Sequence, residues 1–182
     1  MRMRNLRFVL LLLGLGPAEA AGLDPAVVRQ AVEKSVKLLQ AAGPPFFDKS
    51  GCISCHNQSL PAMAVGLARE RGLTVNEPIA RQTLKATLAV LSPHRQDLLQ
   101  AINSVPVTPE VSSYAILGMA AERYPADDLT DALVHDLAQK QRGDGSWRNT
   151  DRRPPLGYSD ISVTAITLQA LQLYPIEGRK EE

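Results

Sequence analysis

The sequence has few aromatic residues, few cysteines and histidines, and no excess of charge of either sign. Eight aromatic side chains stand among 182 residues, while Ala and Leu are abundant, a composition that suits packed helices better than a β-sandwich. Lys plus Arg number 20 and Asp plus Glu 19, for a formal net charge of +1. So even a balance supplies no basic stripe and argues against a nucleic-acid partner. With 45% hydrophobic residues, a chain of this length can bury one good core but hardly two. After the first twenty residues no apolar run is long enough to cross a membrane.

Those first twenty residues read as a signal peptide. Arg2, Arg4 and Arg7 form a basic start, and Phe8 to Leu15 is an apolar run too short to span a bilayer. Pro17-Ala18-Glu19-Ala20 then offers small residues where a signal peptidase cuts, which predicts cleavage after Ala20. An uncleaved membrane anchor or a buried helix is the competing reading. Loss of Arg2, Arg4, Arg7 and Glu19 with the peptide leaves a net charge of about −1. The expected location is the periplasm or the exterior, with no transmembrane anchor after cleavage.

The remainder, residues 21–175, reads as a single helical domain followed by a polar tail at 176–182. Asp24-Pro25 caps and opens a first helix with Val28, Val32, Val36 and Leu39 on one face. Gly43-Pro44-Pro45 is expected to end it, and a loop through Phe46, Phe47, Asp48 and Gly51 leads to the cysteine segment at 51–58. Further helices are predicted from Gln58 to Arg71 with Gly72 as stop, from Asn76-Glu77-Pro78 to Leu91, and from Pro93 to Ile102. Three more follow: from Thr108-Pro109-Glu110 to before Pro125, from Asp127 to Gln141, and from Ser159 to Tyr174.

Two of these helices repeat one another. Residues 111–125 align with 161–175, with Ser112/Ser162, Ala115/Ala165, Ile116/Ile166, Ala120/Ala170, Tyr124/Tyr174 and Pro125/Pro175 identical. Ser59 to Arg71 is a fainter copy, with Ala62 and Ala68 in the same places. A period near fifty residues holding two helices implies stacked helical hairpins.

The two cysteines lie three residues apart in Cys52-Ile53-Ser54-Cys55-His56. Covalent c-type haem needs two thiols spaced to meet its two vinyl groups and a histidine beside the second thiol to ligate iron. The segment therefore predicts one covalent haem c, with His56 as proximal ligand, and the export signal agrees with attachment outside the cytoplasm. Three alternatives stay open. A dithiol redox motif normally opens a helix in a βαβ setting, zinc would need a fourth ligand, and a disulfide at this spacing closes a tiny loop and stabilises little.

For the second axial position, Met63 would stand roughly 10 Å along the same helix face from His56, which prevents both from sandwiching one iron without a break at Pro61. Met119 reads as core. His135, among Asp131, Asp136 and Lys140, reads as a solvated surface residue. His94, after Pro93 at a helix start, is the candidate second ligand, with an open or water-filled position as the alternative.

Between the last two helices lies Gln139-Lys140-Gln141-Arg142-Gly143-Asp144-Gly145-Ser146-Trp147. The Gln141-x-x-x-Gly145-x-Trp147 spacing resembles the repeat motif of squalene and oxidosqualene cyclases and of the wider terpenoid cyclase and protein prenyltransferase superfamily. The chain also resembles exported bacterial proteins that join such a scaffold to a Cys-x-x-Cys-His-Asn-Gln segment, here Cys52 to Gln58. The resemblance implies an all-α fold of helical-hairpin repeats, an α/α toroid, with Gln141, Gly145 and Trp147 as structural motif residues. It does not carry the chemistry across. The Asp-x-Asp-Asp protonation motif is absent, and Asp127-Asp128 sits in a helix first turn, where carboxylates favour the dipole. Eight aromatics are too few to line a carbocation cavity, and no Cys/His/Asp zinc set is present.

Asp160 is expected as an N-cap. Arg152 and Arg153, before Pro154-Pro155, read as a solvated loop, with contact to haem propionates as the alternative. A closed toroid needs about twelve helices and at most seven are visible, which implies either a truncated toroid or a partial one completed by self-association, its open end exposing apolar edges. The functional expectation is an exported haem protein of electron transfer or redox and ligand sensing, with a redox partner protein. A haem-free helical module for a lipid-like or protein partner is the alternative, and a cyclase-like isomerase a third.

Overall fold

The computed structural model describes residues 24–100, 102, 107–150 and 159–175. The expected signal peptide, the Arg152-Arg153-Pro154-Pro155 loop and the tail at 176–182 lie outside them. Seven α-helices are present and no strand among the described residues: α1 (Pro25–Ser50), α2 (Leu60–Glu70), α3 (Glu77–Leu91), α4 (Arg95–Leu99), α5 (Pro109–Ala121), α6 (Asp128–Gln139) and α7 (Asp160–Leu171). A π turn, Cys55–Ser59, leads into α2, and a 3-10 turn, Ser92–His94, precedes α4. The all-α expectation is met.

The helix starts follow local chemistry. Side-chain oxygens of Asp24, Asn76, Thr108, Asp127 and Ser159 each accept from a backbone N–H of the first turn they precede. Asp127 and Thr130 complete a reciprocal capping box. Proline stands at the first or second position of α1, α2, α3 and α5, where its missing N–H costs nothing. The cap of α7 is Ser159; Asp160, expected in that role, instead accepts the Asn149 N–H at 2.8 Å and lies 3.5 Å from Arg142.

The first helix corrects the sequence reading. It runs through Gly43-Pro44-Pro45 to Ser50, so Phe46, Phe47 and Asp48 are helical rather than loop, and Gly51, at φ 61°, is the true stop. Proline inside a helix removes donors for the carbonyls four residues back, here those of Gln40 and Ala41. Ala41 is exposed to water, and the segment is pinned from the other side. A Cβ on Gly43 would stand 2.8 Å from the Asn57 carbonyl oxygen, and Gln58 Nε2 donates to the Gly43 carbonyl at 3.3 Å. Tertiary contact thus overrides the breaker signal. The expected apolar face of α1 is also only partly used: Val36 is buried, while Val28, Val32 and Leu39 remain exposed. The fourth expected helix divides into the 3-10 turn and the shorter α4.

Helix α5 occupies the centre, packing closely on α7 and α2 and also touching α6 and the π turn. Apart from Glu110 in its first turn it is mostly apolar or small, as suits a helix enclosed on many sides, and Ser112, Ser113, Tyr114, Ala115, Ile116, Leu117 and Met119 are all buried. Small residues let α2 approach. A Cβ on Gly118 would meet Ser59 Cα at 3.1 Å, and one on Gly66 would meet the Ala121 carbonyl oxygen at 2.8 Å. The repeated Tyr-Pro ends meet in space, with Tyr174 Oη donating to the Tyr124 carbonyl at 2.7 Å. The main core gathers Leu91, Leu98, Ile116, Met119, Leu129, Leu133, Leu137 and Ala170.

Candidate functional site

The cysteine-histidine segment is built by a short network of side-chain-to-backbone bonds. Cys52 follows the left-handed Gly51, and its N–H donates to Ser50 Oγ at 3.1 Å. Ser54 then caps the π turn, its Oγ accepting from Asn57 N–H at 3.1 Å and from Asn57 Nδ2 at 3.0 Å. Gln58 reaches back, its Oε1 accepting the Ser54 N–H at 2.6 Å. The arrangement is a capping box one residue longer than usual, consistent with the wider turn closed by Leu60 N–H on the Cys55 carbonyl. The 51–58 segment, expected as loop, is therefore helical from Cys55 onward.

This network separates buried supports from accessible reactive atoms. Gln58 is 1% exposed, with its amide spent on Ser54 and on Gly43 of α1. Cys52 and His56 are exposed, and Cys55 is half-buried against the main core; both sulfurs are thiols. Cys55 faces the start of α5: burial pushes the Tyr114 phenol above its ordinary value, and the nearby Cys55 and Glu110 push it the same way. Among the described residues no three His, Cys, Asp or Glu side chains converge on a point that would hold a metal ion.

The structure brings Cys52, Cys55 and His56 onto one short stretch of backbone. His94 stands apart in sequence and setting: its 3-10 turn packs on α3 and α4, and its Nδ1 lies 3.3 Å from Asp97 Oδ2. Met63 packs half-buried against the core and Met119 is buried within it. His135 is half-buried and bonds Gln139 through its Nε2. Asp136, one of the charges around His135, is buried, 2.7 Å from Lys140 Nζ and accepting from Ser112 Oγ at 3.2 Å.

The glutamine-tryptophan turn forms a joint between α6 and α7. Gln141 Nε2 donates to the Gly145 carbonyl at 3.1 Å, and Gly145 takes φ 81°. Trp147 is buried; its Nε1 donates to the Leu137 carbonyl at 2.7 Å, and its backbone N–H donates to Thr164 Oγ1 at 3.0 Å. Indole burial of this kind needs a partner for the ring N–H, and here the end of α6 supplies it.

Two groups escaped the sequence reading. Gln58 was visible as part of the motif but not as its brace. Arg69 holds two carboxylates, Glu77 at 2.9 Å and the buried Glu122 at 3.1 Å. Hydrogen bonding to Arg69 holds the Glu77 carboxyl below its ordinary value, whereas burial pushes Glu122 up against the pull of Arg69. A partner 53 residues away leaves no local signal.

Beside the motif, Gly43, Pro44, Phe47, Gln58, Thr83 and Ala86 help line a largely apolar cleft of about 260 Å³ between α1 and α3. No protein-family model, curated protein or solved structure matches the chain.

Proposed function

We propose that this chain is an exported helical repeat protein carrying one covalent c-type haem and working in electron transfer or in redox or ligand sensing. The observation that carries the reading is the Cys52–His56 segment itself: two unbridged thiols, Cys52 exposed and Cys55 half-buried, beside an exposed imidazole on backbone held by Gln58 and Ser54. That donor set fits the group. Cys52 and Cys55 would each add across a vinyl double bond, sulfur to one carbon and hydrogen to the other, with no net oxidation, and His56 would supply the proximal nitrogen.

The bound group supplies one-electron chemistry or a site for a small iron ligand. The chain's part is to hold the attachment turn. Gln58 fixes its start, Gly43 admits it close to α1, and Tyr114 stands near Cys55. His94 is retained as the candidate second ligand, and Arg152 and Arg153 as candidate partners of the propionates. A partial α/α toroid, periplasmic or secreted, that self-associates through open edges completes the proposal. Expression in a host with haem-attachment machinery tests it. The expected product has the mass of chain plus one haem and a single-haem pyridine haemochrome spectrum; an apo mass with no haemochrome overturns it.

The apolar cleft beside Phe47 favours a second reading, a haem-free module for a lipid-like or protein partner. Its sign would be an apo mass with a Cys52–Cys55 disulfide, together with saturable uptake of a fluorescent fatty acid that Ala86→Trp abolishes.

A further inference from the structure

Behind the attachment turn lies a second, much smaller chamber. Gln58 and Ser59 of the turn, Ala62 of α2, Thr83 and Thr87 of α3, and Gly118 and Glu122 of α5 border it. The room for a water-sized sphere is about 10 Å³, close to the least that admits one water molecule. Glu122 gives the chamber its chemistry. Its side chain is only 7% exposed; one carboxylate oxygen receives Arg69, and the other, Oε1, is buried without a hydrogen-bond partner. A buried carboxylate oxygen left unpaired keeps the full cost of its lost hydration, so a native fold is expected to supply a donor.

We propose that one ordered water molecule occupies this chamber and donates to Glu122 Oε1, linking the Arg69–Glu122 pair on α2 and α5 to the hydroxyls of Ser59 and Thr87. The hydroxyl chemistry suits it. Thr87 Oγ1 already donates to the Thr83 carbonyl at 3.2 Å and is left as an acceptor, and Ser59 can donate. A water there would make about three bonds, the usual number for a buried one. A metal cation fits poorly: the Arg69 guanidinium beside the site repels it, and Gln58 Oε1 is already engaged by Ser54 N–H. The water would join α5 to the last residue of the attachment turn, three positions and so roughly 5 Å of helix rise beyond His56.

A crystal structure of the full chain at about 1.5 Å or better tests this, since ordered waters and their partners are then seen directly. The expected map shows one water at hydrogen-bond distance from Glu122 Oε1. Glu122→Gln, which retains polar atoms, keeps it, and Glu122→Met loses it. An empty chamber in the native protein, with Oε1 bonded directly to the Ser59 or Thr87 hydroxyl as a protonated acid would be, overturns the proposal. So does a water that persists in Glu122→Met. If that variant does not fold, the native map alone decides. Haem content plays no part in this experiment, so it stands or falls apart from the function proposed above.

Discussion

Helices α5 and α7 share a sequence pattern fifty residues apart, and their surroundings differ. In α5 almost every residue from Pro109 to Met119 is buried, because α2, α6, α7 and the π turn enclose it. In α7 only Val163, Thr167 and Ala170 are buried, all toward α5, and Ile161 on the outer face is 82% exposed. The positions that differ between the copies follow this contrast. Gly118 lies under Ser59, where Leu168 of α7 has open space; Glu122 meets Arg69, where its counterpart Gln172 is exposed. A repeat thus preserves the helix and its Tyr-Pro end, while the neighbours decide which copy becomes core.

The sharpest way to break the comparison is to truncate the same residue in both copies. Ile116→Ala is expected to cost about 2–5 kcal/mol in urea unfolding, as for a fully buried aliphatic side chain. Ile166→Ala, at a half-buried position, should cost less than about half of that. Equal losses would show that the two helices are enclosed alike.

Adding and removing bulk two residues further along gives a smaller effect. Gly118→Ala forces Ser59 to move and should destabilise by about 1–3 kcal/mol. Leu168→Ala, on the open face, should stay within about 0.5 kcal/mol. Thermal melts of the two variants side by side provide the check.

The helix ends offer a gain instead of a loss. Arg123 sits at φ 57°, the left-handed region that favours glycine, with its N–H on the Ala120 carbonyl and the Tyr124 N–H on the Met119 carbonyl. Arg123→Gly should stabilise by about 0.5–1 kcal/mol, the relief of backbone strain less the greater freedom of unfolded glycine. The counterpart Leu173 is not left-handed, and Leu173→Gly should destabilise by a similar amount.

The smallest change is a pH slope. Folded Glu122 holds its proton to higher pH than the unfolded chain does, so its contribution is full below the ordinary glutamate range and is lost as pH rises through the folded value. Glu122→Gln, which gives α5 the residue of α7, should remove that decline in unfolding free energy measured across pH. Glu77, with its carboxyl held low, acts in the opposite sense and at lower pH. An unchanged slope in the variant would place the titration elsewhere.

Helix starts were legible in the sequence because their cause is local: Asp24, Asn76, Thr108 and Asp127 cap the turns that follow them. The repeat and the cysteine-histidine spacing were legible for the same reason. What failed was set by distant partners. Pro44-Pro45 reads as a stop, yet α1 continues because Gly43 packs on Asn57. His135 reads as solvated among charges, yet it is half-buried, and Asp136 beside it is paired in the interior by Ser112 and Lys140. Within the candidate site, the spacing of Cys52, Cys55 and His56 was readable, but the brace supplied by Gln58 required knowing that α1 passes behind it.

The chain's single tryptophan gives this architecture an optical reporter. Trp147 lies sealed between the end of α6 and the start of α7, far along the chain from the cysteine-histidine turn. Its emission should be blue-shifted while that joint is closed and move to the red when water reaches the indole. Peeling away α1 should leave it unchanged. Fluorescence therefore times the release of α7, and the thiols of Cys52 and Cys55, followed by their reaction with a coloured reagent, time events at the other end.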